Sequence, residues 1–107
     1  MKISNDNINK LIIDSVEPYQ LRGIEELQAR FDSRKSFYKK AYIGEFQNCI
    51  YLLSYNTIVA CIFQNQLRIY GAFSQTTARH IREFAKQNGF DDIITYKDMR
   101  NMSVYSK

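Results

Sequence analysis

Two hydrophobic periods follow one another along this chain. Between residues 37 and 71 short apolar runs are parted by polar pairs: FYKKAYIG, CIYLLS, TIVACIF and LRIYG. Runs of this length, rich in Ile, Val, Tyr and Phe, predict strands. From residue 75 the period becomes helical. In SQTTARHIREFAKQNG, the residues Ala78, Ile81, Phe84 and Ala85 fall on one stripe, as a helix with one buried side requires. Ser74 stands where an N-cap is wanted. Gly89 stands where a left-handed C-cap residue is wanted, and Phe90 can pack back on the last turn. The spacing predicts a helix over 75–88.

The hairpin can be worked through residue by residue. With Tyr55-Asn56 as turn residues, 54 opposes 57 and 49 opposes 62. Alternation then sorts Cys49, Tyr51, Leu53, Ile58, Ala60 and Ile62 to one face, and Ile50, Leu52, Val59, Cys61 and Phe63 to the other. A second turn at Gln64-Asn65 adds the strand 66–70. Leu67 and Ile69 join the Ala60/Ile62 face, the predicted main core; Arg68 and Tyr70 join the Cys61 face. Both faces are apolar, so the hairpin is either covered on both sides or offers one face for self-association, as in a homodimer.

Residues 4–16 carry Ile8, Leu11 and Ile12 and predict a short helix, with a strand as the alternative. Leu21, Ile24, Leu27 and Phe31 predict a second helix over 19–31, broken at Asp32-Ser33. In the tail, Ile93-Ile94 precedes a helical turn in KDMRNM, and the last residues are expected to fray. The predicted fold is α+β in a single domain over 1–107. It comprises an N-terminal helical segment (1–30), an antiparallel meander of about four strands (37–71), one amphipathic helix packed on a face (74–90) and a tail (91–107).

The length of 107 residues and a hydrophobic content of 45% suit one domain with a core of its own. The first residues lack a signal-peptide apolar region, and no run approaches the length of a membrane span, so a cytoplasmic protein with no membrane partner is expected. Two cysteines are too few for a disulfide scaffold.

The net charge is +4, and the cations are clustered. Arg30, Arg34, Lys35, Lys39 and Lys40 crowd one segment, with Asp32 the only acid among them. Arg79, Arg82 and Lys86 follow one side of the predicted helix. Tyr38, Tyr42 and Tyr70, with Arg68, set aromatic rings beside cations. Such a surface fits a solvated face, a stacking platform for DNA or RNA, or a protein-binding patch built on Tyr and Arg. The candidate macromolecule-binding residues are Arg34, Lys35, Lys39, Lys40, Tyr42, Arg68, Tyr70, Arg79, Arg82 and Lys86.

Reactive chemistry finds little support. His80 is the only histidine, and with Glu83 three residues on it reads as a surface hydrogen bond rather than a base. The hairpin register above sets Cys49 and Cys61 on opposite faces, against a disulfide or half a metal site. No glycine-rich phosphate loop or nucleophile elbow is present. Thr76 and Thr77 behind Ser74 read as ordinary capping rather than a phosphate site. No catalytic residue, metal or cofactor is expected, and the chain is read as a non-enzyme.

The strings FDSRKSFYKKA, LLSYNTIVACI and TTARHIREFAKQNGF together resemble an uncharacterised family of short proteins from phages, plasmids and other mobile elements of Gram-positive bacteria. Those proteins commonly carry Gly after the aromatic pair of the first string, where this chain has Lys39. The resemblance implies a small accessory protein acting in the host cytosol by binding and blocking a host protein or nucleoprotein, a CRISPR nuclease being a typical target.

Overall fold

Two-residue turns organise the sheet. Gln47-Asn48 and Tyr55-Asn56 hold both residues at positive φ, and Gln64 opens the third turn the same way. These backbone settings match the twist of the strands they join. The computed structural model describes the backbone of Lys2–Ile3 and residues 16–72 and 74–107. Its strands are β1 (Lys2–Ile3), β2 (Arg22–Glu26), β3 (Ala41–Phe46), β4 (Cys49–Ser54), β5 (Thr57–Phe63), β6 (Gln66–Ile69) and β7 (Ser103–Ser106). They form one antiparallel sheet in the order β1-β7-β6-β5-β4-β3-β2. The helix α1 (Gln75–Gln87) and the short helix α2 (Tyr96–Met99) connect β6 to β7.

The fold is therefore richer in sheet than the expected four-stranded α+β meander with N-terminal helices. The helix expected over 19–31 is instead a 3-10 turn (Pro18–Gln20), strand β2 and the start of a loop. Gly23, at φ +61, explains the difference. Glycine is a poor helix former but accommodates a strand irregularity, and the β2–β3 register shifts between Arg22 and Glu25. The apolar spacing was not one face either: Leu21 and Leu27 are buried, whereas Ile24 and Phe31 are exposed. The helix expected over 4–16 lies outside the described residues, apart from Val16. The tail does not fray. β7 pairs with β6, with Val104 and Tyr105 buried.

One β-bulge rearranges the central hairpin. Leu53 opposes Ile58 but Leu52 opposes Ala60, so Val59 is the extra residue. Beyond it Cys49 opposes Phe63 rather than Ile62. A one-residue slip exchanges the faces of a strand. Leu52 and Ile50 therefore join Ala60, Ile62, Leu67 and Ile69 in the main core, while Cys49, Tyr51 and Cys61 share the other face. The two cysteines lie on one side of the sheet, not on opposite sides, and both are free.

Helix α1 covers the first face with Ala78, Ile81, Phe84 and Ala85, all buried. The Ser74 hydroxyl accepts the Thr77 N–H at 3.1 Å, which settles this helix end as an ordinary cap. At the other end Phe90 N–H reaches Ala85 O (3.0 Å) and Gly89 N–H reaches Lys86 O (3.2 Å), with Gly89 at φ +86. This pair of bonds is a Schellman closure. Thr95 and Asp98 form a reciprocal capping box on α2. Among the described residues no helix is long and apolar enough to cross a membrane.

Placing a Cβ at Gly89 forces a left-handed backbone on a residue that resists it. Gly89→Ala should lower stability by about 1 kcal/mol, read as an earlier urea midpoint at unchanged slope. An unmoved midpoint would mean that the closure is not formed in solution.

Candidate functional site

A groove runs along the exposed flank of α1. Its middle section, about 520 Å³, lies between the helix and the loop after β2 and is lined by Phe31, Arg34, Arg79, Arg82 and Lys86, among others. Towards the helix N-terminus it continues into a depression of about 200 Å³ that shares Arg34, Thr76 and Arg79 and adds Tyr38, Lys40 and Tyr55. Towards the C-terminus it continues past Arg82 and Lys86 into a more apolar depression of about 400 Å³ bordered by Ile93 and Tyr96.

The loop wall is held by a carboxylate. Glu83 is 2% exposed. Its Oε1 accepts the backbone N–H groups of Arg30 (3.0 Å), Phe31 (2.8 Å) and Asp32 (3.0 Å). Its Oε2 accepts the Gln87 amide at 2.7 Å. Burial of an ionised carboxylate is tolerated only with such a set of donors. A second clamp joins the same walls. Arg79 Nε donates to Asp32 Oδ2 at 3.1 Å, and its Nη2 donates to Asp32 Oδ1 and to Ser33 Oγ. The hydrogen bonds from Arg79 hold the Asp32 carboxyl below its usual range, helped by the Arg34 N–H on Oδ1 (2.9 Å).

The helix N-terminal half carries a buried polar chain. The Ser74 hydroxyl donates to Thr77 Oγ1 (3.2 Å); Thr77 Oγ1 lies 3.0 Å from Ser54 Oγ, which lies 2.9 Å from His80 Nδ1. Donation in that order uses each hydroxyl proton once and puts the imidazole proton on Nε2. His80 is thus buried and bonded to Ser54, not a surface partner of Glu83. The Phe37 ring packs edge-on against it at 4.7 Å. Burial lowers its pKa from 6.5 to about 4.

The sequence-predicted site residues divide between the two sides of the sheet. Arg34, Lys40, Arg79, Arg82 and Lys86 meet in the groove. Lys35 and Lys39 are exposed on the same loop but do not line it. Tyr42, Arg68 and Tyr70 belong to the opposite face, apart from α1. They offer no open platform. Arg68 is 4% exposed and lies over the Phe63 ring at 5.5 Å. Its Nη2 donates to Gln66 Oε1 at 3.4 Å, while Nε and Nη1 have no hydrogen-bond partner among the described residues. The Tyr70 hydroxyl donates to Cys61 Sγ at 3.2 Å. Burial pushes the Cys61 thiol up to about 11, so it is an unreactive core group.

The groove residues that sequence reasoning missed are Phe31, Asp32, Tyr55 and Glu83. The available signal was the helix itself: Thr77, His80 and Glu83 are buried beside the apolar stripe. A polar group at such positions implies a partner from elsewhere in the chain.

A family model described as a family of unknown function (DUF8033) matches residues 25–101, and the chain belongs to that family. The matched span includes both groove walls, the loop and α1. No curated protein and no solved structure matches the chain.

Two outcomes follow for the groove walls. Glu83→Ala leaves three backbone donors without their acceptor and should cost about 2–4 kcal/mol. Hydrogen exchange at the amides of 30–32 should accelerate more than in β4 and β5; equal protection in the variant would mean that Glu83 does not hold the loop. For His80, the unfolded chain takes up a proton near pH 6.5 and the folded chain only near 4. Stability should therefore be flat above about pH 7 and fall as the pH drops from 6.5 towards 4, by up to about 3 kcal/mol. His80→Gln should flatten that slope in denaturant titrations, and an unchanged slope would assign it to other groups.

Proposed function

We propose that the protein is a non-enzymatic accessory protein of a phage or mobile element that uses the groove beside α1 to bind a host macromolecule and block it. The target class that fits the sequence resemblance is a defence nuclease or nucleoprotein. One observation carries the reading: the loop and the helix, joined by an ion pair 47 residues apart in sequence, bring Arg34 to the same groove as Arg82 and Lys86. The two acids of the middle section are engaged internally, Asp32 by Arg79 and Glu83 by backbone N–H groups. That section is therefore cationic in effect and suits an anionic partner. The apolar hairpin face that suggested a dimer has Tyr51 and Cys61 buried within the chain, so it gives self-association no support.

The reading is tested in cells carrying a CRISPR nuclease directed at an infecting phage. Expression of the wild-type chain should raise plating efficiency, and the double variant Arg34→Glu/Lys86→Glu should not. Both positions are exposed, so thermal stability should stay within about 0.5 kcal/mol of wild type. Full protection by a folded double variant would remove the groove from the function. Failure of the wild type to protect against the nucleases tried would count against the blocking role.

A further inference from the structure

We infer that the groove holds a single strand of nucleic acid, with bases against Tyr38 and Tyr55 and phosphates along Lys40, Arg34, Arg82 and Lys86. This deepens the proposed function and rests on the groove being the binding site.

The rings are the first ground. Tyr38 is 68% exposed and Tyr55 51% exposed, and both border the N-terminal depression. Both stand in the left-handed backbone region, at φ 53 and 52; Tyr55 does so as the first turn residue, as Gln47 and Gln64 do in the neighbouring turns. The two turns are tied to one another: Lys40 N–H bonds Phe37 O at 3.0 Å, Tyr55 N–H bonds Lys40 O at 2.9 Å, and Tyr38 N–H bonds Ser36 Oγ at 2.8 Å. With much of each ring exposed, a flat face remains for a ligand. A base has the complementary π-face; an acidic polypeptide would use the cations and leave the rings without a partner.

The path is the second ground. The cations follow the helix from Lys40 to Lys86, and α1 is 13 residues long, roughly 20 Å at 1.5 Å per residue. Beyond Lys86 the groove meets the exposed Asp91, where a phosphate chain would be repelled. The trough therefore guides an extended polyanion and limits its length. Bases in a duplex are stacked on one another and cannot reach the tyrosines, so the proposal is for an unpaired strand.

The experiment is fluorescence anisotropy of the full chain with labelled oligonucleotides of one sequence: single-stranded DNA, single-stranded RNA and duplex DNA, across a salt series. Poly-glutamate serves as a non-nucleic polyanion. Single strands should bind at least about tenfold more tightly than duplex. Four phosphate contacts should give a slope of log K against log salt of about −3. Tyr38→Gly/Tyr55→Gly removes the rings while relieving the backbone, so it should stay folded and lose roughly tenfold or more in affinity. The DNA and RNA arms identify the sugar. Equal binding of duplex and single strand, or unchanged affinity in the ring-less variant, overturns the inference. Poly-glutamate bound with no oligonucleotide bound overturns it while the groove remains a polyanion site. Neither bound at low salt overturns this inference alone; the groove reading stands or falls separately, on the plating test of the Arg34→Glu/Lys86→Glu variant.

Discussion

The Glu83 carboxylate is the constraint on which the functional side of this protein depends. The loop from 30 to 36 contains no strand or helix, so no ladder of regular hydrogen bonds fixes its course. One oxygen on α1 does so by collecting three consecutive N–H groups. Charge-assisted bonds of this kind are roughly twice as strong as neutral ones, and the Asp32–Arg79 pair adds a second attachment a few ångströms along. Because Glu83 holds the loop by its backbone, the side chains of Arg30, Phe31 and Arg34 are not consumed in holding it. The loop keeps its path whichever residues it displays.

The sheet separates two chemical environments. On the α1 side, Leu52, Ala60, Leu67 and Ile69 pack under the helix, and the groove lies at the margin of that core. On the other side, Cys61, Tyr70 and Arg68 make a buried polar group among apolar neighbours. A buried guanidinium with two nitrogens unpartnered among the described residues is costly. Its cation–π contact with Phe63 offsets part of that cost.

Much of the fold was legible where local signals are strong. The α1 stripe, its Ser74 and Gly89 caps, the Tyr55-Asn56 and Gln64-Asn65 turns, and the sharing of one face by Ala60, Ile62, Leu67 and Ile69 all follow from period and turn chemistry. The bulge at Val59 was not legible, because alternation carries no mark of an extra residue when both faces are apolar. β2 was misread because four apolar residues at helical spacing outweighed one glycine. β7 was missed because SVYS is short and needs β6 beside it to be a strand. The clustering of Arg34 with Arg79, Arg82 and Lys86 was visible only as two separate charge groups. The tertiary contact that unites them runs through Glu83 and Asp32, which read from sequence as a surface partner of His80 and as the acid at a predicted break.

The Val59 bulge also bears on how this hairpin can change over evolutionary time. Substitutions in β4 and β5 alter size or polarity at one point, and the damage stays local. Loss of one codon at the bulge is different in kind, because Val59 pairs with nothing in β4. Without it the pairs Leu53–Ile58, Leu52–Ala60 and Cys49–Phe63 are kept and the alternation becomes plain, so each side chain keeps its face. Pairing Val59 instead of bulging it would set Cys49 against Ile62 and turn Cys49 and Tyr51 towards α1. The hairpin therefore carries one residue that its register can lose but cannot pair. Insertions that preserve the architecture belong in the loop tied by Glu83, where no strand register has to be kept.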